Sequence, residues 1–298
     1  MADRWPSRTG AALIVLLAAC ASPPPSPTHT PVPSSSPTLS PSPTPTTSPH
    51  PSATLEPVLE CLNEGGHVVQ SELTDPDLPR SLPYRVFLPP CAEAARGRLP
   101  VLLLLHGLAR TDSEWDDLGA DELAQAWIAA SQVPPFLIVM PWERLGLDFE
   151  LAIVEHLIPH VEQVYGASPD RSQRAIGGIS RGGGWALRIG LKHPELFGAI
   201  GLHSPAVLIP DLFDLPDWIQ PMAPVEIPSI WIDMGERDPQ RFELVELTDL
   251  LDEQEVPYSL NRYPGEHIEA YWAAHLEEYL KWYVLGWQMQ GSGPGESY

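Results

Sequence analysis

This chain is short of basic residues, of cysteine and of long apolar runs. Its 298 residues include 17 lysines and arginines against 39 aspartates and glutamates, and only three cysteines. The formal net charge of −22 disfavours binding to nucleic acid or to anionic lipid surfaces. The N-terminal apolar run, from Ala11 to Ala19, is shorter than the roughly 20 apolar residues that a membrane-spanning helix needs. These shortages predict no nucleic-acid partner and no membrane-spanning helix in that run.

The N-terminus has the pattern of an export signal. Arg4 and Arg8 precede the apolar run, and Leu17-Ala18-Ala19-Cys20 resembles a bacterial lipobox, in which the cysteine is acylated and becomes the first mature residue. The pattern predicts a signal peptide over residues 1–19 and a lipid anchor on Cys20. The mature protein is then expected on the extracytoplasmic side of the cell membrane. The alternative is an ordinary cleaved signal peptide with an incidental cysteine.

A charge-free segment follows the signal. Residues 21–55 contain no Asp, Glu, Lys or Arg and consist of Pro, Ser and Thr with scattered Ala, Val, Leu and His. Such a composition cannot bury enough apolar surface to fold, so residues 20–60 are expected to form a disordered linker. Removing the signal takes out Arg4, Arg8 and Asp3, which leaves 15 basic and 38 acidic residues and a formal charge of −23. Residues 61–288 are long enough for one large α/β domain, and residues 289–298 are predicted to be a flexible tail.

Two cysteines lie within the predicted domain. If Cys20 is lipidated, Cys61 and Cys91 remain as an even pair in an oxidising compartment, which favours a disulfide between them. Two free buried thiols are the alternative, because only geometry decides whether the pair can bond.

The pentapeptide Gly178-Ile179-Ser180-Arg181-Gly182 has the Gly-x-Ser-x-Gly pattern of a nucleophile elbow. Residues 174–179 predict a short buried strand, and apolar residues at helical spacing follow the pentapeptide. A serine at such a turn projects its hydroxyl outward, while flanking glycines avoid a Cβ where strand and helix pass closest. Since the pentapeptide alone is a weak signal, it is this context that makes Ser180 the candidate nucleophile.

A second apolar run, residues 99–105, leads directly into His106-Gly107-Leu108. An unbroken run closed by glycine is typical of a central parallel strand buried on both faces. The loop after it is expected to direct the backbone N–H of Leu108 at a substrate carbonyl, beside the N–H of Arg181, so that the two form an oxyanion hole. The alternative is a core strand with an incidental histidine.

An acid and a base are expected on later loops at the carboxyl ends of the strands, the edge that also carries the elbow. Asp238 follows the predicted strand 228–235, and His267 follows the predicted strand 258–263. The order Ser180, Asp238, His267 matches the chain order of the triad in this architecture. The competing residues are Asp233 and Glu236 for the acid, and His203 and His275 for the base.

At these motifs the chain resembles the α/β-hydrolase fold and, within it, the esterase group that includes esterase D-like, feruloyl and enterochelin esterases. The resemblance covers residues 66–287 and implies a mostly parallel central sheet with helices on both faces. It also implies Ser180 as nucleophile, Asp238 as acid, His267 as base and the Leu108 and Arg181 amides as oxyanion donors. One departure is Arg181, since many relatives have an uncharged residue after the serine. The residues carrying the likeness are Leu105-His106-Gly107-Leu108, Pro169-Asp170-Arg171, Arg174-Ala175-Ile176, the elbow, Asp233-x-Gly235-x-x-Asp238, Pro264-Gly265-Glu266-His267 and Tyr271-Trp272.

No metal and no cofactor are implied. His156 and His160 stand four apart on a predicted helix over 148–165, but Pro159 interrupts that turn and no third ligand has motif-like spacing. The glycines near the elbow lack the dinucleotide fingerprint and its acidic residue.

Three tryptophans and one loop are candidates for shaping a substrate cleft. Residues 207–227 are predicted to be a loop that covers the serine and carries Trp218, while Trp115 and Trp142 each follow a predicted strand. Structural packing is the alternative for each tryptophan. The sequence thus predicts an exported, lipid-anchored serine esterase acting on a small-molecule or polysaccharide-linked ester. An acyltransferase to a sugar or lipid alcohol, and a non-catalytic surface binding module with the same fold, are the alternatives.

Overall fold

A computed structural model describes residues 65–291, with side chains to 287, and its centre is one eight-stranded sheet in the order β1-β2-β4-β3-β5-β6-β7-β8. The pairs β1·β2 and β2·β4 are antiparallel, and all other neighbours are parallel. The carboxyl ends of β3 to β8 therefore lie along one edge of the sheet. The strands are β1 His67–Leu73, β2 Leu82–Leu88, β3 Val101–Leu105, β4 Leu137–Pro141, β5 Arg174–Ile179, β6 Ala199–His203, β7 Ser229–Gly235 and β8 Tyr258–Tyr263.

Helices follow most of these strands. A single helical segment runs from Phe149 to Tyr165 and includes a π-helical stretch over Ala152–Leu157, and Pro159 stands two residues after the end of that stretch. The last helix ends at Gly291, three residues beyond the domain boundary predicted at 288. The helices are α1 Glu114–Asp117, α2 Ala120–Ala129, α3 Phe149–Leu151, α4 Ile158–Tyr165, α5 Arg181–Lys192, α6 Ile209–Ile219, α7 Arg241–Glu253 and α8 Glu269–Gly291.

The core lies on both faces of the sheet because alternate residues of each strand point to opposite sides. In β3, Val101, Leu103 and Leu105 pack with α3 to α7, whereas Leu102 and Leu104 pack with α1, α2 and α8. All five are at most 1% exposed. A strand buried on both faces explains why its sequence shows an unbroken apolar run instead of alternation.

The segment predicted as a covering loop, residues 207–227, instead contains helix α6. Pro210 stands in its first turn, and Asp211, Leu215 and Ile219 recur at a spacing of four and face inward. The helix starts beside Gly184, near the start of α5. It runs along α5 and α7.

Within residues 65–291, no helix has both the length and the apolar character that crossing a bilayer requires.

Candidate active site

The structure brings Ser180, Asp238 and His267 into one hydrogen-bonded line at the carboxyl edge of the sheet. The Ser180 hydroxyl donates to Nε2 of His267 at 2.8 Å, and Nδ1–H of His267 donates to Oδ2 of Asp238 at 2.9 Å. The carboxylate accepts only from a protonated nitrogen, so it fixes the proton on Nδ1 and leaves Nε2 free to accept. This arrangement suits removal of a proton from the serine.

Ser180 occupies a strained backbone conformation between β5 and α5. Its φ of 54° and ψ of −117° lie in a region that L residues rarely adopt. The end of β6 and the loop after it hold the serine there, because its N–H donates to the carbonyl of His203 at 2.9 Å and its carbonyl accepts from Ala206 at the same distance. A Cβ on Gly178 or Gly182 would lie 2.2 Å from backbone atoms, so the turn requires glycine at both positions.

Two loops place the acid and the base side by side. Asp238 is fully buried, and its second oxygen accepts the N–H of Gln240 at 2.8 Å. The loop after β7 is tied to the loop after β8 by Arg237 N–H to the Gly265 carbonyl at 3.0 Å. Trp272, in the first turn of α8, packs edge-on against the His267 ring at 5.1 Å. The imidazole is therefore oriented by both a carboxylate and an indole.

The loop after β3 stands next to the elbow. Arg110 N–H closes a turn on the Gly107 carbonyl at 3.2 Å, with Ala109 at a φ of 62°. The N–H of Gly107 donates to Oε2 of Glu114 at 2.6 Å, and burial raises the pKa of that carboxyl. Leu108 N–H has no acceptor within the described residues. The N–H of Arg181, the first residue of α5, has no acceptor within its own helix.

The loop after β4 contributes Glu143, which the sequence analysis missed. Its carboxylate accepts two hydrogen bonds from the Arg181 guanidinium, and its N–H donates to Nε2 of His106 at 2.9 Å. One feature of the sequence could have indicated Glu143. It lies two residues past the end of a buried parallel strand and therefore at the edge of the sheet that carries the elbow.

His203 and Asp233, the rivals for base and acid, form a separate pair beneath the site. Nδ1–H of His203 donates to Oδ1 of Asp233 at 2.9 Å, and both side chains are fully buried. The other Asp233 oxygen accepts from Tyr271 at 2.8 Å and from Tyr279 at 2.9 Å. Burial, followed by the Asp233 charge, raises the pKa of both phenols far above their ordinary value, so both remain protonated donors. Tyr283 donates to Nε2 of His203 at 3.0 Å.

The cleft predicted from the three tryptophans is wrong in two places. Trp115 is 1% exposed, donates to the Leu105 carbonyl at 3.0 Å and packs against His203, so it belongs to the core. Trp218 lies near Lys192 at the far end of α5, where it lines a hollow that Ser180 does not reach. Trp142 directly follows β4, beside Glu143, and its contact with substrate stays a prediction.

The remaining candidates lie away from this site or outside the described residues. Cys91 is disulfide-bonded, whereas Cys61 and Cys20 lie outside the described residues. His156 contacts an Asp75 oxygen at 3.2 Å, and His160 lies 2.9 Å from the Tyr84 hydroxyl. Within residues 65–291, the rivals Glu236 and His275 form no hydrogen bond to Ser180 or to His267.

Comparison with known proteins places this geometry in context. Residues 76–283 match the model of the family described as "Putative esterase". An endo-1,4-beta-xylanase/feruloyl esterase of Xylanibacter ruminicola is 30% identical over 127 residues, which are 38% of this chain and 18% of that protein. A protein called "Putative esterase NocK", from Nocardia uniformis subsp. tsuyamanensis, is 29% identical over 256 residues, 78% of this chain and 64% of that protein. The chain thus spans less than two thirds of the length of both relatives.

Solved structures give the same fold. A ferulic acid esterase superposes with a TM-score of 0.66 at 23% identity, over 75% of this chain and 99% of its own. An S-formylglutathione hydrolase from Staphylococcus aureus superposes with a TM-score of 0.60 at 20% identity, over 74% of this chain and 98% of its own. Together with the observed sheet order, these likenesses confirm the predicted α/β-hydrolase fold.

Proposed function

Because this chain belongs to the putative esterase family, we propose that it is a serine esterase that hydrolyses carboxylic esters through an acyl-enzyme. The observation that carries the proposal is the line from Ser180 through His267 to Asp238, with both hydrogen bonds shorter than 3 Å. A hydroxyl bonded to an imidazole that a buried carboxylate orients is the arrangement of an activated nucleophile.

In the first half-reaction, Oγ of Ser180 attacks the ester carbonyl carbon while Nε2 of His267 takes the hydroxyl proton. The carbonyl oxygen becomes an oxyanion, which accepts the N–H groups of Leu108 and Arg181. The carbon–oxygen bond to the alcohol then breaks, and His267 returns its proton to the leaving alcohol. Asp238 remains ionised and stabilises the imidazolium.

In the second half-reaction, water attacks the acyl-serine. His267 takes a proton from the water, and collapse of the second tetrahedral intermediate releases the acid and restores the Ser180 hydroxyl. Each proton removed is returned, so the triad ends in its starting state and no cofactor is consumed.

The substrate class follows from the relatives' names. Both the curated Xylanibacter ruminicola protein and the superposed ferulic acid esterase are named for feruloyl or ferulic esters. We therefore assign to this chain an ester of a small or aromatic acid, free or linked to a polysaccharide.

The export of the enzyme is part of the same proposal. The lipobox-like sequence ending in Cys20 provides the anchor, and the uncharged linker separates it from the enzyme domain. The disulfide at Cys91 supports this placement, since structural disulfides persist in oxidising compartments, and Cys61 is the proposed partner.

The test is Ser180→Ala, with Ser229→Ala as the matched control because Ser229 is exposed at the start of β7, at the opposite edge of the sheet. Turnover of a p-nitrophenyl ester is expected to fall by several orders of magnitude in the first variant, toward the roughly 10⁶-fold loss typical of such units. The control should keep wild-type turnover, and a fluorophosphonate probe should label it but not Ser180→Ala.

Wild-type turnover in Ser180→Ala would refute the proposal. An unlabelled, inactive wild type would favour the non-catalytic binding module. Transfer of the acyl group to an added alcohol in preference to water would favour the acyltransferase.

A further inference from the structure

The side chain of Arg181 faces Glu143 and forms a fork with it. Nε donates to one carboxylate oxygen at 2.7 Å and Nη2 to the other at 2.5 Å. The guanidinium also lies 5.8 Å from the Trp185 ring centre. A two-point pair of this kind fixes direction as well as distance, because the guanidinium and the carboxylate are both planar. Arg181 therefore ties the first turn of α5 to the loop after β4.

The backbone of Glu143 carries the connection onward. Its N–H donates to Nε2 of His106 at 2.9 Å, so the His106 proton must be on Nδ1, which donates to the Gly107 carbonyl at 2.8 Å. His106 is 5% exposed, and burial lowers its pKa, which favours this neutral form. The chain of contacts ends at the peptide group that joins Gly107 to Leu108.

These contacts join the two segments whose amides form the proposed oxyanion hole. We propose that Arg181, Glu143 and His106 are positioning residues that hold the Leu108 and Arg181 N–H groups at a fixed spacing for the oxyanion. The inference rests on the proposed esterase function. It assigns a role to Arg181, which departs from the family pattern, because the arginine side chain acts through its hydrogen bonds to Glu143.

The same geometry separates this role from a direct electrostatic one. If the guanidinium acted as a charge on the oxyanion or on an anionic substrate, neutralising Glu143 would release that charge and raise activity. If the fork positions the amides, neutralising Glu143 breaks the fork and lowers activity. The two roles therefore predict opposite signs for one substitution.

The experiment is a double-mutant cycle with Glu143→Gln, Arg181→Met and the combined variant. Each single change is expected to lower kcat about ten- to hundred-fold with KM within about three-fold, less than the 10²- to 10³-fold cost of deleting an oxyanion donor. The combined variant should be no worse than about three-fold below the poorer single one, because the second change removes a contact already lost. Binding of a boronic acid that mimics the tetrahedral intermediate should weaken by the same factor as kcat/KM.

Two further variants keep the result interpretable. Lys192→Met breaks an ion pair with Glu150 at the other end of α5 and should leave kcat unchanged. Arg181→Lys keeps the charge without the fork and should lose nearly as much activity as Arg181→Met. Active-site titration and the melting temperature of each variant separate loss of folded enzyme from loss of turnover.

Four outcomes would each overturn the inference. Glu143→Gln could be more active than wild type, or the loss of kcat/KM in the single variants could come from a higher KM. Arg181→Lys could keep full activity, or the effects of the two single changes could multiply in the combined variant. These outcomes are distinct from failure of the esterase proposal, which is judged on Ser180→Ala alone. An inactive Ser180→Ala with a fully active Glu143→Gln would retain the esterase and discard the positioning role.

Discussion

Substitutions in the two histidine–aspartate pairs should have separate effects, one on the stability of the fold and the other on catalysis. His203→Leu removes a fully buried imidazole, and His267→Ala removes one whose side chain is 20% exposed. In the first variant the Asp233 carboxylate loses one of three donors, and the Tyr283 hydroxyl loses its acceptor. The second variant leaves a gap at the surface and takes away the group that accepts the serine proton.

The magnitudes follow from burial. Removing one partner of a buried, hydrogen-bonded pair costs about 3–5 kcal/mol of unfolding free energy. For a domain of this size each kcal/mol lowers Tm by about 2–4 °C, so His203→Leu should melt about 6–20 °C below wild type. Its turnover per folded molecule should stay within about ten-fold, because Ser180 N–H bonds the backbone carbonyl of residue 203. His267→Ala should keep Tm within a few degrees and lose about 10⁶-fold in kcat.

The assay pairs calorimetric melting with ester turnover at a temperature where both variants are folded. If His203→Leu does not fold, Tyr283→Phe provides the same test with a smaller loss of stability. It removes only the hydrogen bond from the hydroxyl to the imidazole, which costs about 1–3 kcal/mol of unfolding free energy. A thousand-fold loss of turnover in a folded His203→Leu, or an unchanged Tm, would contradict a structural role for the buried pair.

Two further outcomes are expected. Cys20→Ser should move the protein from the membrane fraction of an expressing bacterium to the soluble exported fraction, and an unchanged distribution on fractionation would remove the lipid anchor. Hydrogen bonding from His193, with a contribution from Lys192, lowers the pKa of Glu150 from 4.5 to about 2, so its stabilising contribution is present above pH 4.5 and lost as pH falls toward 2. Glu150→Gln should therefore be less stable than wild type by about 1–3 kcal/mol in urea unfolding at pH 7 and by less than half of that at pH 3, and a difference independent of pH would contradict this.

The central strands were predictable because burial on both faces leaves a simple trace in the sequence. The bounds of β5 and β8 agree with the predicted ones, and β3 begins two residues after its predicted start. Once the strands are placed, a parallel sheet brings their carboxyl ends together, which is why residues far apart in the chain could be assigned to one edge.

The hydrogen bonds between side chains of the site were not predictable in the same way. Glu143 lies on a polar loop and Glu114 is the first residue of the short helix α1, and nothing in their local sequence distinguishes a hydrogen-bonded carboxylate from a solvated one. The helix over 209–219 was missed because two prolines within it weaken the helical signal, although the spacing of Asp211, Leu215 and Ile219 agrees with one buried face. Trp115 shows the same limit, since any large aromatic residue after a strand fits both a core and a cleft.

The choice between the two candidate acids depends on how far each residue stands beyond the end of its strand. His203 and Asp233 are paired in register within β6 and β7, so their side chains emerge from the sheet on the same face and are covered by α8. Asp238 lies three residues past the last residue of β7, and His267 lies four past the last residue of β8. Those extra residues place the Asp238–His267 pair past the ends of the strands, where Nε2 of His267 reaches the Ser180 hydroxyl at 2.8 Å. A position inside a strand therefore produces a structural pair, and a position beyond the strand end produces one that can reach a substrate.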